Sequence, residues 1–279
     1  MTATTSGVFP RRSPGAFVAL TVALSVPFWL LGHIVESPGL GPVGLPVSAL
    51  QAVVPLVAAA LLAARVEGAG GVTRLLRRTV DPGGTATWTR YLLIVALMPA
   101  IYALAYVAMR AAGRPVPDPA ISLVSVGILV VLFLVTAVFE EAGWTAYALE
   151  PLSDRWGLVR AGLVLGLAWA AVHLVPDTQS GHEAGWIAWH RIGTVALRVL
   201  LALAFVATGR GVLAAVAMHA ADNVSWQLFP VSGSHYDPAW VAPITLSAAT
   251  ILVGAFALRA RSRATRPGQR ARPGAASHA

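Results

Sequence analysis

The chain has 279 residues, of which 57% are hydrophobic and only 11% are charged, and its mean hydropathy is +0.71. Soluble domains carry about 25% charged residues, so this composition excludes an ordinary soluble protein, and the lack of cysteine excludes disulfides, thiol nucleophiles and cysteine metal ligands. The net charge of +8 comes from arginine alone, and we interpret it as a signal of membrane topology rather than of nucleic-acid binding.

Eight apolar segments are each long enough to cross a bilayer as a helix, for which about 17–25 residues are needed. The first is not predicted to be a cleaved signal peptide, because its apolar stretch is too long and no small-residue cleavage site follows it. Only Gly209-Arg210-Gly211 separates the sixth and seventh segments, which predicts a tight helical hairpin. The predicted spans are 15–35, 46–65, 91–111, 121–148, 157–175, 191–209, 211–229 and 239–258.

The arginines are unevenly distributed between alternate connections of this predicted bundle. The connections on one side carry few of them, namely Arg110, Arg114 and Arg191, whereas the other side holds both termini and most of the rest. Arginine-rich connections face the cytoplasm, so both termini are predicted to be cytoplasmic. The sequence thus predicts an all-α, polytopic transmembrane helix bundle in the cell membrane.

This bundle divides into three regions. Residues 1–14 are a short cytoplasmic N-terminus, 15–258 form the transmembrane helical domain, and 259–279 form a basic, disordered cytoplasmic tail. The tail either touches anionic lipid or serves only as a topology signal. The sequence does not determine an oligomeric state.

Two adjacent carboxylates, Glu140 and Glu141, end an uncharged apolar run that begins at Ile121. A charged side chain near the bilayer centre costs about 2.5–3.5 kcal/mol on insertion scales, so the two acids need partners. Later apolar segments supply candidates in His173, His219 and Asn223. The alternatives are that the two acids end a helix at the cytoplasmic interface, and that His219 and Asn223 are hydrogen-bonding glue between helices.

Helical spacing places several of these side chains on common faces, because residues four apart project from the same side of a helix. Glu140 and Glu141 lie roughly 100° apart on the helical wheel, so one is expected to serve chemistry and the other structure. The pairs that share a face are Glu140 with Trp144, Trp169 with His173, and His219 with Asn223.

Such a set of groups favours hydrolysis. A carboxylate beside a histidine can hold and deprotonate a water, and a second histidine with an asparagine amide can stabilise an oxyanion. The same side chains offer an alternative, a zinc site built from His173, His219 and Glu140 with an open water position. The residues alone do not separate these two readings.

Three stretches resemble the motifs of a known family. They are Glu140-Glu141-Ala142-Gly143-Trp144-Thr145-Ala146-Tyr147, Trp169-Ala170-Ala171-Val172-His173 and His219-Ala220-Ala221-Asp222-Asn223. Their order and spacing resemble the CPBP family, the CAAX proteases and bacteriocin-processing enzymes also called Abi proteins. The resemblance covers about residues 121–229.

The resemblance implies an intramembrane, glutamate-dependent endopeptidase, a type historically also described as a metalloprotease. Some members cut prenylated CAAX proteins after the modified cysteine, and bacterial members are linked to bacteriocin maturation or self-immunity. By that resemblance Glu140 would activate water with His173, His219 and Asn223 would stabilise the oxyanion, and Glu141 would be an auxiliary acid. The implied substrate is a membrane-associated protein or peptide. No cofactor is required in this reading, with zinc as the alternative.

The sequence departs from the family at Thr145, where the family commonly has an arginine that pairs with the second glutamate. Arg198, in the middle of the sixth predicted span, is the candidate replacement. Asp222 is predicted to orient a histidine or pair with an arginine, and Trp144, Trp169 and Trp226 are predicted to shape a substrate groove.

Two other classes of function stay open. One is a catalytically silent immunity or scaffolding protein of the same fold. The other is a proton-coupled transporter, although neither inverted repeats nor broken helices are evident in the sequence.

Overall fold

The computed structural model describes residues 12–35 and 46–264, and it is all-helical over those two ranges. This confirms the predicted all-α fold. Residues 1–11 of the predicted N-terminus and residues 265–279 of the predicted tail lie outside the described part of the chain.

The first half of the chain begins with a capped helix. The Ser13 hydroxyl accepts a hydrogen bond from the backbone N–H of Ala16, and Pro14 occupies the first helical position, where its missing N–H is harmless. The helices are α1 (Pro14–Ile34), a 3₁₀ turn (Val47–Val53) leading into α2 (Val54–Glu67), α3 (Ala69–Thr79) and α4 (Trp88–Ala111).

The second half contains the motif-bearing helices. Ser122 caps the N-terminus of helix α5, and its hydroxyl accepts a hydrogen bond from the N–H of Ser125. The helix runs without a break into a π-helical segment and then α6. The elements are α5 (Leu123–Gly143), the π-helix (Trp144–Leu149), α6 (Glu150–Trp156), α7 (Leu158–Val172), α8 (Leu174–Gln179), α9 (Ala184–Ala207), α10 (Val212–Leu228) and α11 (Pro238–Ala264).

Seven helices of the described residues are long and apolar enough to cross a membrane. The chain is therefore a multi-pass membrane protein. The remaining predicted span is α10, a helix of 17 residues that packs among α4, α5 and α9. The count of eight spans and the cytoplasmic placement of both termini stay predictions.

Three predicted boundaries are corrected. The connection after the second span, predicted as a loop, contains α3, because Leu75 and Thr79 lie four residues apart and are both buried on one face. The sixth span begins at Ala184 rather than 191. Helix α11 continues to Ala264, so the first residues of the predicted disordered tail are helical.

Glycines allow the site-bearing helices to pack closely. Helix α7 lies against α9, and a Cβ added at Gly166 would be 3.1 Å from the Val195 Cα and 3.2 Å from the Arg198 Cβ. Small residues at such contacts let the backbones of membrane helices approach one another. Gly166 therefore permits Arg198 to enter the interior between α7 and α9.

Gly143 makes the tightest such contact near the paired glutamates. A Cβ there would lie 2.6 Å from the Phe17 Cε2 atom and 2.6 Å from the Pro55 carbonyl oxygen. Because the backbone oxygen cannot turn away, we expect Gly143→Ala to destabilise the protein by about 1–3 kcal/mol through overpacking. Thermal unfolding of the purified protein in detergent would measure this.

Gly127 supplies the matched control on the same helix. A Cβ at Gly127 meets nothing within 4 Å, so Gly127→Ala is expected to be neutral or to stabilise by up to about 1 kcal/mol through helix propensity. Equal unfolding temperatures for the two variants would contradict the close packing of α1 and α2 on α5.

Candidate active site

Glu141 lies at the centre of a buried ion-pair network. Its side chain is fully buried, and the Arg198 guanidinium contacts it with two nitrogens, Nη1 to Oε2 at 2.7 Å and Nη2 to Oε1 at 3.0 Å. This two-point geometry is the strong form of an arginine–carboxylate pair. Arg198 thus contacts Glu141, as the sequence analysis hypothesised when it offered Arg198 as the partner of this carboxylate.

Two further groups complete the surroundings of Glu141. The Thr145 hydroxyl donates to Oε2, so the residue that replaces the family's arginine still contacts this carboxylate. The His219 Nδ1 atom is 2.9 Å from Oε1. Since a carboxylate paired with arginine only accepts, Nδ1 carries the proton and the Nε2 atom of His219 is the free end of the ring.

Glu140 points away from this network, as its place on the helical wheel requires. Its Oε2 atom accepts a hydrogen bond of 2.7 Å from the Trp169 indole N–H. Among the described residues no side chain hydrogen-bonds the other oxygen, Oε1. Glu140 is 6% exposed, against 0% for Glu141, so Glu140 is the acid with an oxygen available to a small ligand such as water.

Trp169 lies between the two imidazoles. Its ring centroid is 5.5 Å from that of His173 and 5.0 Å from that of His219, both edge-to-face. The Arg198 guanidinium stacks over the same indole at 4.1 Å. Trp169 therefore contacts both histidines and hydrogen-bonds Glu140. The sequence predicted only that it would line a substrate groove.

His173 caps the C-terminus of α7. Its Nδ1 atom is 2.9 Å from the Trp169 carbonyl oxygen, which can only accept, so Nδ1 carries a proton and Nε2 is free. Both histidines thus have a fixed Nδ1–H and an uncommitted Nε2. With Glu140 Oε1, they give three unoccupied polar atoms grouped around Trp169.

Two other residues predicted to belong to the site, Asn223 and Trp144, form no side-chain hydrogen bond with the glutamates in the described part of the chain. Asn223 is on α10 one turn after His219, and no hydrogen bond of its amide is found among the described residues. Trp144 is 1% exposed and packs edge-to-face on Phe17 at 5.1 Å, a core position rather than a groove wall. The π-helix that begins at this residue breaks the α-helical spacing on which its predicted face depended.

Asp222 differs from its prediction. Its Oδ1 atom accepts a hydrogen bond of 3.3 Å from the Tyr102 hydroxyl. Neither a histidine nor an arginine of the described residues is hydrogen-bonded to it. The reason is geometric, because Asp222 is rotated by about 60° from His219 on the helical wheel and faces α4 rather than α5.

The π-helix and Arg12 are features that the sequence analysis missed. π-Helical turns are frequently found at functional sites, and this one begins three residues after Glu141. The Arg12 Nη1 atom donates to the Ala146 carbonyl oxygen at 2.8 Å, and its guanidinium lies 5.4 Å from the centre of the Tyr147 ring. No local pattern pointed to a contact across 134 residues of sequence.

A zinc site would need a different arrangement of the same residues. In the described part of the chain, no three His, Asp or Glu side chains come together as a metal-binding group. The predicted ligands His173, His219 and Glu140 therefore do not form such a group as they stand, and we derive no step through a metal.

Comparison with known proteins agrees with the placement of the motifs. Residues 122–225 match the family described as "Type II CAAX prenyl endopeptidase Rce1-like". The chain is also similar to "CAAX prenyl protease 2" of Methanococcus maripaludis, with 40% identity over 42 residues, which is 15% of this chain and 16% of that relative. The matched stretch thus spans only a small part of the relative's length.

The match over 122–225 includes both glutamates, Trp169, both histidines and Asn223. It also includes Arg198 and the π-helix, which together hold the buried network. Through this segment, the chain is similar to the CAAX prenyl endopeptidases, as its three motifs predicted.

Proposed function

We propose that the chain is an intramembrane endopeptidase that hydrolyses a peptide bond with a water activated by Glu140. The observation that carries this proposal is the grouping of Glu140 Oε1 and the two free imidazole nitrogens around Trp169. Three uncommitted polar atoms inside a helix bundle resemble the parts of a hydrolytic site more than interhelical glue, in which such atoms would pair with each other.

In the proposed reaction, Glu140 accepts a proton from a water while the water oxygen bonds to the scissile carbonyl carbon. His173 holds that water through Nε2. When the carbon–nitrogen bond breaks, the proton on Glu140 passes to the leaving amine, and the products are a carboxylate and an amine. No serine or cysteine nucleophile takes part.

His219 and Asn223 are proposed to donate to the oxyanion. Because the Nδ1–H of His219 already donates to Glu141, its Nε2 donates only when the ring is an imidazolium. The Glu141 carboxylate stabilises that charge, and Arg198 and Thr145 fix the carboxylate in place. Glu141 is therefore proposed as a positioning residue for His219.

The proposed substrate is a membrane-associated protein or peptide with a prenylated, CAAX-like C-terminus, as the name of the matched family suggests. A bacteriocin-like peptide is the second possibility that the sequence resemblance offered. A buried site within apolar spans suits a substrate that reaches it from the membrane surface.

The direct test is cleavage of a fluorogenic, C-terminally prenylated peptide by the purified protein in lipid nanodiscs. We expect His219→Ala to lower kcat by about 10²–10³-fold, the loss typical of removing one oxyanion donor. His235→Ala is the control, because His235 lies in the connection between α10 and α11 and contacts Ser234. Equal cleavage by wild type and His219→Ala would contradict the role of His219 as an oxyanion donor, and no cleavage by the wild type would leave a catalytically silent scaffold as the better description.

We further propose that the reaction needs no metal. Activity is expected to persist after dialysis against a strong chelator, and elemental analysis of the active protein should find no stoichiometric zinc. Loss of activity on chelation with recovery on adding zinc would favour the metal-dependent alternative instead.

A further inference from the structure

A polar cavity lies among α4, α9, α10 and α11, apart from the glutamates. Its volume is about 40 Å³, and it is partly open to the outside. A cavity of about 10–15 Å³ already holds a water, so this one has room for a larger group. His190 on its wall and Arg198 of the ion pair are eight residues apart on α9, which separates them by about 12 Å.

Asp222 is the acidic group of this cavity, and its described lining contains no arginine or lysine. The chain as a whole contains no lysine. The Tyr102 hydroxyl donates a hydrogen bond to Asp222, but this hydroxyl carries no charge. The carboxylate therefore faces the cavity without a positively charged partner in its lining.

The one histidine in the lining does not provide that charge. The Arg191 Nη2 atom lies 2.7 Å from the Nδ1 atom of His190. A guanidinium only donates, so Nδ1 accepts and the ring is neutral. Arg191 itself forms an ion pair with Asp177, with 2.9 Å between Nε and Oδ2, so its charge is already balanced.

The cavity walls are aromatic. Four of the lining residues are aromatic rings in mutual contact. Tyr236 contacts the other three, with centroid separations of 5.9 Å to Tyr102, 5.9 Å to Trp226 and 5.8 Å to His190. Trp226 and His190 are 5.9 Å apart. Faces of tryptophan and tyrosine attract organic cations, and cages of such rings recognise ammonium groups. The carboxylate of Asp222 can pair with the charge of such a cation, and the aromatic rings can pack against its apolar part.

We propose that this cavity binds an organic ammonium group, such as the ethanolamine headgroup of a membrane phospholipid or a free primary amine. Its position favours the lipid source. His190 is within two turns of the start of α9, Trp226 is in the last turn of α10, and Tyr236 lies in the connection to α11. Helix ends with tryptophan are where membrane proteins meet lipid headgroups.

The test uses the full chain purified in detergent and analysed by native mass spectrometry. We expect phosphatidylethanolamine to be retained about tenfold more than phosphatidylglycerol with the same acyl chains, and methylammonium to displace it. Asp222→Asn should abolish that preference. Asp118→Asn is the matched control, because the Asp118 side chain is 89% exposed, and it should leave the preference unchanged.

The outcomes separate the sources of the ammonium group. If methylammonium raises the unfolding temperature of the wild type but not of Asp222→Asn, and no lipid is retained, the ligand is a free amine. If Asp222→Asn does not fold, Trp226→Leu tests the aromatic wall and should weaken the same preference. The proposal is overturned if wild type responds to neither probe, or if Asp222→Asn retains both as wild type does.

Discussion

Glu140→Gln is expected to lower the rate of peptide cleavage by about 10²–10⁴-fold, the contribution of a positioned general base. Glutamine has nearly the same shape, and its carbonyl oxygen can still accept from the Trp169 indole N–H. What it cannot do is take a proton from water. The single-turnover rate of cleavage of a prenylated peptide in nanodiscs measures this effect.

The expected loss lies in the chemical step and not in folding or binding. The unfolding temperature and the Kd for the peptide should therefore match those of the wild type. Glu183→Gln is the control, since Glu183 is exposed at the start of α9 and away from the site. Cleavage by Glu140→Gln at the wild-type rate would show that the water is activated elsewhere.

Arg198→Leu is expected to destabilise the protein by about 3–5 kcal/mol, because it leaves the buried Glu141 carboxylate without its cation. Both side chains are at most 1% exposed, so water does not replace the lost contacts. The guanidinium also stacks on Trp169, which holds Glu140. Activity should fall with stability, and unfolding in detergent with a denaturant titration measures the latter.

A second variant separates charge from packing. Removing both partners, as in Arg198→Leu with Glu141→Leu, should recover part of the stability because no unpaired charge stays buried. It should not recover cleavage, since His219 loses its carboxylate. Arg160→Leu, at an exposed position of α7, is the control and should change stability by no more than about 0.5 kcal/mol. Unchanged stability of Arg198→Leu would refute the role of the ion pair.

Much of the site was predictable because its signals are local. Two adjacent acids in an uncharged apolar run need partners wherever the chain folds, and a lone arginine in the middle of an apolar span needs an acid. Together with the family resemblance, in which Thr145 replaces the usual arginine partner, this reasoning led from Glu141 to Arg198 without any coordinates. The spacing of His219 and Asn223 likewise placed both on α10, whatever that helix packs against.

The contacts that give each group its role were beyond such reasoning. His219 meets Glu141 across 78 residues of sequence, and Glu140 meets the Trp169 indole across 29. Which glutamate receives which partner depends on how α5, α7, α9 and α10 are rotated against each other. Hydropathy and periodicity report one helix at a time and carry no information about that rotation.

By itself, the sequence determined the membrane character, the helical segments and the residues that had to be buried with partners, because hydrophobicity and charge act at each position independently. Only the tertiary structure decided which partners Glu140 and Glu141 contact, the π-helix that Arg12 contacts, the extra helix α3 and the aromatic cavity around Asp222. Those features depend on close packing between distant segments, where a change of one ångström or one glycine selects which side chains meet.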